Sequence, residues 1–229
     1  MVFSSLPFLF LFLTVVLLVS HILPFRFRNF FLLLANLVFY AYGEPVYVLI
    51  MIGSILVNFF AGLLMDKQST QGRRRAVLVV GIVLNLAALG VFKYAGLFVS
   101  TLREIPGLSS LPEVDIALPI GISFYTFQAV SYLIDVYWDD CAASHNLINF
   151  ASYISLFPQL IAGPIVRYKD VNEQLVSRRE TPTLFNSGVR LFVVGLAKKV
   201  LLANQFGMLW DAMSADPVAA GALGAWAGA

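Results

Sequence analysis

The chain has 229 residues, of which 59% are hydrophobic and only 12% charged, with a mean hydropathy of +0.84 and a formal net charge of +2. Soluble domains average about 45–50% apolar and about 25% charged residues, so this balance excludes an ordinary soluble domain, and the weak positive charge offers nothing to nucleic acid. The single cysteine, Cys141, excludes an internal disulfide and a cysteine-only metal site.

A helix needs about 20 apolar residues to span a bilayer. Seven segments reach or approach that: 5–23, 29–43, 46–65, 76–98, 117–138, 147–166 and 184–210. The predicted fold is all-α: a single polytopic membrane domain, 1–229, built as a transmembrane helix bundle. The first segment has no basic leader and no small-residue cleavage site, so it reads as a retained transmembrane helix rather than a signal peptide. Residues 29–65 read as a helical hairpin with Glu44 and Pro45 at its tip.

Loop charges set the orientation. The loop 24–28 carries Arg26 and Arg28, and the loop 66–75 carries Lys67, Arg73, Arg74 and Arg75 against Asp66. The positive-inside rule makes both cytoplasmic. The amino terminus and the loop 99–116, with Arg103 against Glu104, Glu113 and Asp115, are then outside. A conflict follows at 147–166. A full crossing there would put Arg167, Lys169, Arg178 and Arg179 outside. The segment is therefore predicted to be re-entrant, turned back by Pro158, Gly163 and Pro164. In 184–210, Lys198 and Lys199 interrupt the apolar run. Either one tilted helix lets them snorkel, or two shorter helices meet there. The tail 217–229 is rich in Ala and Gly.

Two runs in this chain are apolar yet broken by proline: Ala117-Leu-Pro-Ile-Gly-Ile-Ser-Phe-Tyr-Thr-Phe-Gln128 and Ser155-Leu-Phe-Pro-Gln-Leu-Ile-Ala-Gly-Pro-Ile-Val-Arg-Tyr168. At membrane depth, a broken backbone is tolerated only where protein or water satisfies the freed groups. Tyr125 and Gln128 fall on neighbouring turns of one face, and Gln159 follows Pro158. These residues suit either a polar tunnel lining or hydrogen bonds between helices. Asp135 is a functional candidate as a carboxylate in an apolar run, and its nearness to Asp139 and Asp140 also suits an interfacial acid. Lys93 beside Tyr94 reads as a snorkelling pair. Asn58 and Asn85 read as bonds between helices. His21 and His145 lie outside the apolar runs, and the chain has no Gly-x-Ser-x-Gly, phosphate loop or histidine-based metal spacing. No catalytic residue and no metal ligand is assigned.

The run Leu118–Gln128, the stretch Tyr132-Leu-Ile-Asp-Val-Tyr137, the run Ser155–Pro164 and Arg167-Tyr-Lys-Asp170 together resemble the membrane-bound O-acyltransferases. With Met1-Val-Phe-Ser-Ser5 and Phe92-Lys-Tyr-Ala95, the resemblance is to the bacterial alginate O-acetyltransferase branch. It implies a multi-pass enzyme of the bacterial inner membrane, with helices and re-entrant segments around a tunnel. It implies no bound cofactor: the acyl donor, acetyl-CoA or another acetyl carrier, is a substrate. The acceptor it implies is an extracytoplasmic polysaccharide such as alginate, reached with periplasmic or membrane partner proteins. Candidates for tunnel wall or donor entrance are Tyr125, Gln128, Asp135, Pro158, Gln159 and Arg167. The family's catalytic histidine lies in an apolar stretch matched by nothing in this chain. The chain is thus expected to be an amino-terminal part, inactive by itself. Two other readings stay open from the residues: a transporter or flippase, which broken helices also suit, and a non-catalytic membrane subunit of a polysaccharide-modification complex.

Overall fold

The computed structural model describes residues 3–105, 112, 116–160, 163–178, 180–215, 221 and 226. Glu113 and Asp115 of the outer loop, Ile161 and Ala162 of the second broken run, Arg179 and most of the 217–229 tail lie outside the described residues. There is no strand among the described residues. In chain order the helices are α1 (Pro7–Ile22), α2 (Phe25–Gly43), α3 (Val48–Asp66), α4 (Gln71–Arg103), α5 (Ile122–Tyr137), α6 (Leu147–Ser155), α7 (Phe157–Leu160), α8 (Tyr168–Val176) and α9 (Pro182–Ser214). Three of them, α3, α4 and α9, are long and apolar enough to cross a membrane, and α1 is a shorter apolar helix.

The helices divide between two compact units, one holding Val16–Arg178 and the other the described residues of 2–15 and 179–229. In the second unit, Pro7–Leu13 winds as a π-helix, and the Thr14 hydroxyl donates to the Leu9 carbonyl five residues back. Phe8 is buried there between Phe3 and Phe12. The helix α9 runs through Lys198 and Lys199 without ending. Its path widens to a π-helix over Lys198–Ala203, so one continuous helix replaces the alternative of two meeting there. No residue of Pro182–Ala197 or Lys198–Ala203 is buried.

In the first unit several expected bounds move. The loop 24–28 is largely helical: Pro24 is extended and α2 starts at once with Phe25, because proline fixes φ for a helix start and lacks the N–H that would go unpaired there. Arg28 turns its guanidinium back to the Leu23 and His21 carbonyls, closing the end of α1. The helix α4 extends to Arg103, beyond the expected end at 98. The helix α5 starts only at Ile122, because Pro119 and Gly121 keep 116–121 non-helical. At about 1.5 Å per residue its 16 residues reach about 24 Å, short of the roughly 30 Å hydrocarbon core. The predicted 147–166 helix is two short ones, α6 and α7, and residues 163–167 are non-helical. Within 167–183, expected to be loop, Tyr168–Val176 is the helix α8.

The core of this unit is where α5 packs against α3 and α4. Glycines permit the approach. A Cβ on Gly62 would strike the Tyr132 hydroxyl and lie 2.9 Å from its ring carbons, and one on Gly81 would lie 2.6 Å from Leu133 Cδ1. Asn58 of α3 and Asn85 of α4 exchange amide hydrogen bonds of 3.1 and 2.7 Å, so the two residues read as bonds between helices are each other's partners. Lys93 Nζ lies 5.4 Å from the centre of the Tyr94 ring, within the reach of a cation–π contact.

Candidate functional site

The two proline-broken runs meet. Gly121 takes a left-handed conformation at φ 79°, and a Cβ there would lie 2.7 Å from the Leu160 carbonyl oxygen, so the start of α5 rests on the end of α7. Glycine fits the position twice over, by its φ and by the close backbone approach.

The break between α6 and α7 is repaired by side chains. In a continuous helix, the Phe157 N–H would bond to the Tyr153 carbonyl. Here the Phe157 N–H donates instead to Asn36 Oδ1 of α2 at 3.3 Å, and the Tyr153 carbonyl accepts from Gln159 Nε2 at 2.8 Å. Pro158 has no N–H to give, which is what makes the break permanent. Gln159, expected to line a tunnel, thus spends its amide donor on the backbone its own run has freed.

At the other end of α5 lies the ion pair. Asp135 is 1% exposed and is gripped from two sides of its carboxylate by Arg167, with Nε to Oδ2 at 3.1 Å and Nη2 to Oδ1. Arg167 also reaches Asp140 at 3.3 Å, and Lys169 reaches Asp140 at 3.5 Å. Asp135 is therefore a paired buried charge and not a free interfacial acid. The pair joins the chain before α6 to the chain after α7. Tyr132, Phe150, Tyr153 and Tyr168 form an aromatic cluster beneath it, with the Tyr132 and Phe150 ring centres 4.6 Å apart. Asn29, at the Arg26–Arg28 end of α2, donates to Asn149 Oδ1 of α6 and to the Leu175 carbonyl of α8. Asn29 thereby ties the start of α6 to the end of α8.

Beside this cluster is an open cavity of about 280 Å³ with a mixed lining that includes Ser144, His145, Asn146, Asn149, Tyr168 and Asn172 as well as alanines and Val176. Nearby, Arg74 makes a two-pronged contact with Asp139, at 3.1 and 2.6 Å, and donates to the Val136 carbonyl. The Arg74 guanidinium holds the Asp139 carboxyl below its usual range. Burial, reinforced by Asp135 and Asp140, pushes the Cys141 thiol up to about 11.

Of the six predicted residues, the structure joins Asp135 to Arg167 and places Tyr125, Pro158 and Gln159 near the meeting of the broken runs, with Gln128 midway along α5 between the two. Tyr125 lies ten residues before Asp135, about 15 Å along the helix, so there are two loci and not one. Tyr125 and Gln128 are each 1% exposed, and Tyr125 Oη and Gln128 Oε1 have no hydrogen-bond partner among the described residues. The sequence reasoning missed Asn29, Asn36 and Tyr40. The available signal was polar residues inside the 29–43 run, with Asn36 and Tyr40 four apart. No group of three or more His, Cys, Asp or Glu side chains suited to a metal occurs among the described residues. His21 is exposed, and His145 pairs at 3.4 Å with Asp66, both partners exposed.

Residues 140–214, which contain Arg167, α6, α7 and α8, match the model of the MBOAT, membrane-bound O-acyltransferase, family. The chain is 43% identical over 215 residues to the probable alginate O-acetylase AlgI of Pseudomonas aeruginosa, covering 92% of this chain and 41% of that protein. The chain belongs to the membrane-bound O-acyltransferase family. It is 31% identical to the peptidoglycan O-acetyltransferase of Helicobacter pylori, over 78% of this chain and 39% of that protein. It is also 31% identical to the teichoic acid D-alanyltransferase of Streptococcus thermophilus, over 45% of this chain and 26% of that protein. The chain thus spans less than half the length of these relatives. No solved structure matches it. With family membership and three helices long and apolar enough to cross a membrane, it is a multi-pass membrane protein.

Proposed function

We propose that this chain supplies the donor-side entrance and part of the tunnel wall of a bacterial inner-membrane O-acyltransferase. The enzyme moves an acetyl group from a cytoplasmic carrier to a hydroxyl of an extracytoplasmic polysaccharide, with alginate the acceptor that the relatives favour. The observation that carries this is the Asp135–Arg167 pair. A buried carboxylate is expensive in a membrane protein. Here it closes a re-entrant segment whose two ends lie together, as the loop charges require if 139–146 and 167–183 are both cytoplasmic.

The division of labour follows from the two loci. Arg167, Asp140 and Lys169 make a charged cluster near the open cavity at Ser144–Asn149, where the acyl carrier can rest. Tyr125 and Gln128 line the way inward past Pro158 and Gln159. The chain's share of catalysis is positional: it brings donor and acceptor together within the membrane. The general base that takes the acceptor's hydroxyl proton belongs to no residue described here. Periplasmic or membrane partner proteins hand the acyl group on.

The test is the gene in its complete reading frame, expressed in an alginate producer deleted for its own O-acetylase. Acetyl esters on the secreted polymer are expected, and Gln128→Leu is expected to lower them with the protein still inserted in the inner membrane. An inserted protein that leaves the polymer unacetylated overturns the assignment.

A further inference from the structure

Four polar atoms on the two helices that touch the second broken run, α2 through Asn36 and α5 through Gly121, have no hydrogen-bond partner among the described residues: Asn36 Nδ2 and Tyr40 Oη on α2, and Tyr125 Oη and Gln128 Oε1 on α5. Their residues are between 0% and 3% exposed. Asn36 and Tyr40 are four apart on one helix, and Tyr125 and Gln128 three apart on another, so each pair shares a face. Tyr40 lies within electrostatic reach of Tyr125, and also of Glu44 and Tyr47 at its own end of α2. Asn36 is fixed in place because its Oδ1 already holds the Phe157 N–H.

Leaving one such group bare costs about 1–3 kcal/mol. Four together would be a large unexplained loss in a chain that elsewhere satisfies its buried amides in pairs. Their chemistry narrows the ligand. Asn36 Nδ2 only donates, Gln128 Oε1 only accepts, and the two phenols can do either. A carbonyl compound could not satisfy Gln128, and a cation could not satisfy Asn36. A small ligand that both donates and accepts satisfies all four.

We propose that Asn36, Tyr40, Tyr125 and Gln128 form a buried water site, holding a cluster of water molecules between α2 and α5 at the re-entrant break. Each water finds the two to four polar partners that an ordered internal water needs. The site gives the proposed tunnel a hydrated stretch inside the bilayer, leading from the Glu44 end of α2 toward Gln128. It rests on the tunnel reading of Tyr125 and Gln128, but it can be tested without acyl transfer.

Radiolytic hydroxyl labelling of the full chain in nanodiscs, read by mass spectrometry, tests it, because internal waters generate radicals beside the residues that bind them. The controls are Tyr132 and Tyr153, equally buried, whose hydroxyls bond to protein at Ser144 N and the Val166 carbonyl. Tyr40 and Tyr125 are expected to label roughly tenfold faster than these controls if ordered water sits against them. Tyr125→Phe is expected to slow the labelling of Tyr40 several-fold. Equal labelling of all four tyrosines in the wild-type chain overturns the water site, even if the variant fails to fold. A wild-type chain that labels as expected but, inserted in the membrane, leaves the polymer unacetylated overturns the tunnel reading alone.

Discussion

Two regions of the first unit solve the same problem differently. Between α3, α4 and α5, polar groups are few and matched. Asn58 and Asn85 exchange two amide bonds, and each also donates to a carbonyl four residues back, Ser54 and Gly81. Between α2, α5 and α7, the backbone itself is broken, and side chains from elsewhere are spent repairing it. The first region leaves only Arg74 Nε without a partner among the described residues, on a guanidinium that bonds to Asp139 and the Val136 carbonyl. The second keeps four buried polar atoms without partners among the described residues, and the separate locus at the far end of α5 holds a buried carboxylate that one arginine neutralises. Surplus polarity in a low-dielectric interior is costly, so the second region is where the chain carries a task beyond holding together.

The largest test of this contrast is Arg167→Leu. Removing one partner of a buried ion pair leaves the other charge unpaired, a loss of about 3–5 kcal/mol. Arg167 is itself 39% exposed, which places the expectation at the lower end. Thermal unfolding in detergent should show a drop of several degrees, while Asp135→Leu with Arg167→Leu recovers most of it. A double variant no more stable than the single one would show that the pair is not what closes the segment.

Next comes the packing of the matched region. Gly62→Ala drives a methyl into Tyr132, and overpacking of this kind typically costs about 1–3 kcal/mol. Gly53, nine residues earlier on the same helix, has nothing within 4 Å of the added methyl. Gly53→Ala should therefore stabilise, by up to about 1 kcal/mol from helix propensity alone. If the two variants melt alike, α5 does not press on α3 as closely as the glycines indicate.

A smaller effect is expected from Asn58→Leu. Hydrogen bonds between membrane helices average about 0.6 kcal/mol and reach about 1.7. Asn58→Leu leaves Asn85 Nδ2 its bond to Gly81, so the loss should stay within that range. The companion Asn85→Leu should match it, and the double variant should be no worse than either single one.

The same contrast decides what could be read from the sequence. The apolar runs placed the long helices, because 20 apolar residues have few other uses. Asn58 and Asn85 were legible as bonds between helices, but 27 residues separate them and nothing local pairs them. Asp135 and Arg167 are 32 apart, and only the fold shows the acid as one half of a pair. The helix α8 was missed because its sequence is polar. Tyr168, Val171 and Leu175 do recur at helical spacing, and two of them, Tyr168 and Leu175, are buried. Proline and glycine announced the two breaks, but not which side chains would repair them. Those came from Asn36 on another helix and from Gln159 reaching back six residues. Local chemistry fixed where the backbone fails, and tertiary contact fixed what takes its place.

The finest probe of the charged locus is Cys141, which sits beside it and feels its charges. Burial raises its thiol first, Asp135 and Asp140 raise it further, and Arg167 and Lys169 pull it down. Only the thiolate reacts with maleimide. With the thiol pushed up to about 11 from an ordinary 9.0, alkylation at pH 8 should be far slower than for an exposed cysteine. It should climb about tenfold per pH unit until about pH 11, rather than levelling near 9. Asp140→Asn removes one raising charge, so its curve should shift to lower pH and react faster at pH 8. Arg167→Leu removes a lowering charge and should shift the curve the other way. A maleimide rate that moves in the same direction in both variants would mean that Cys141 senses loosened packing and not the charges around Asp135.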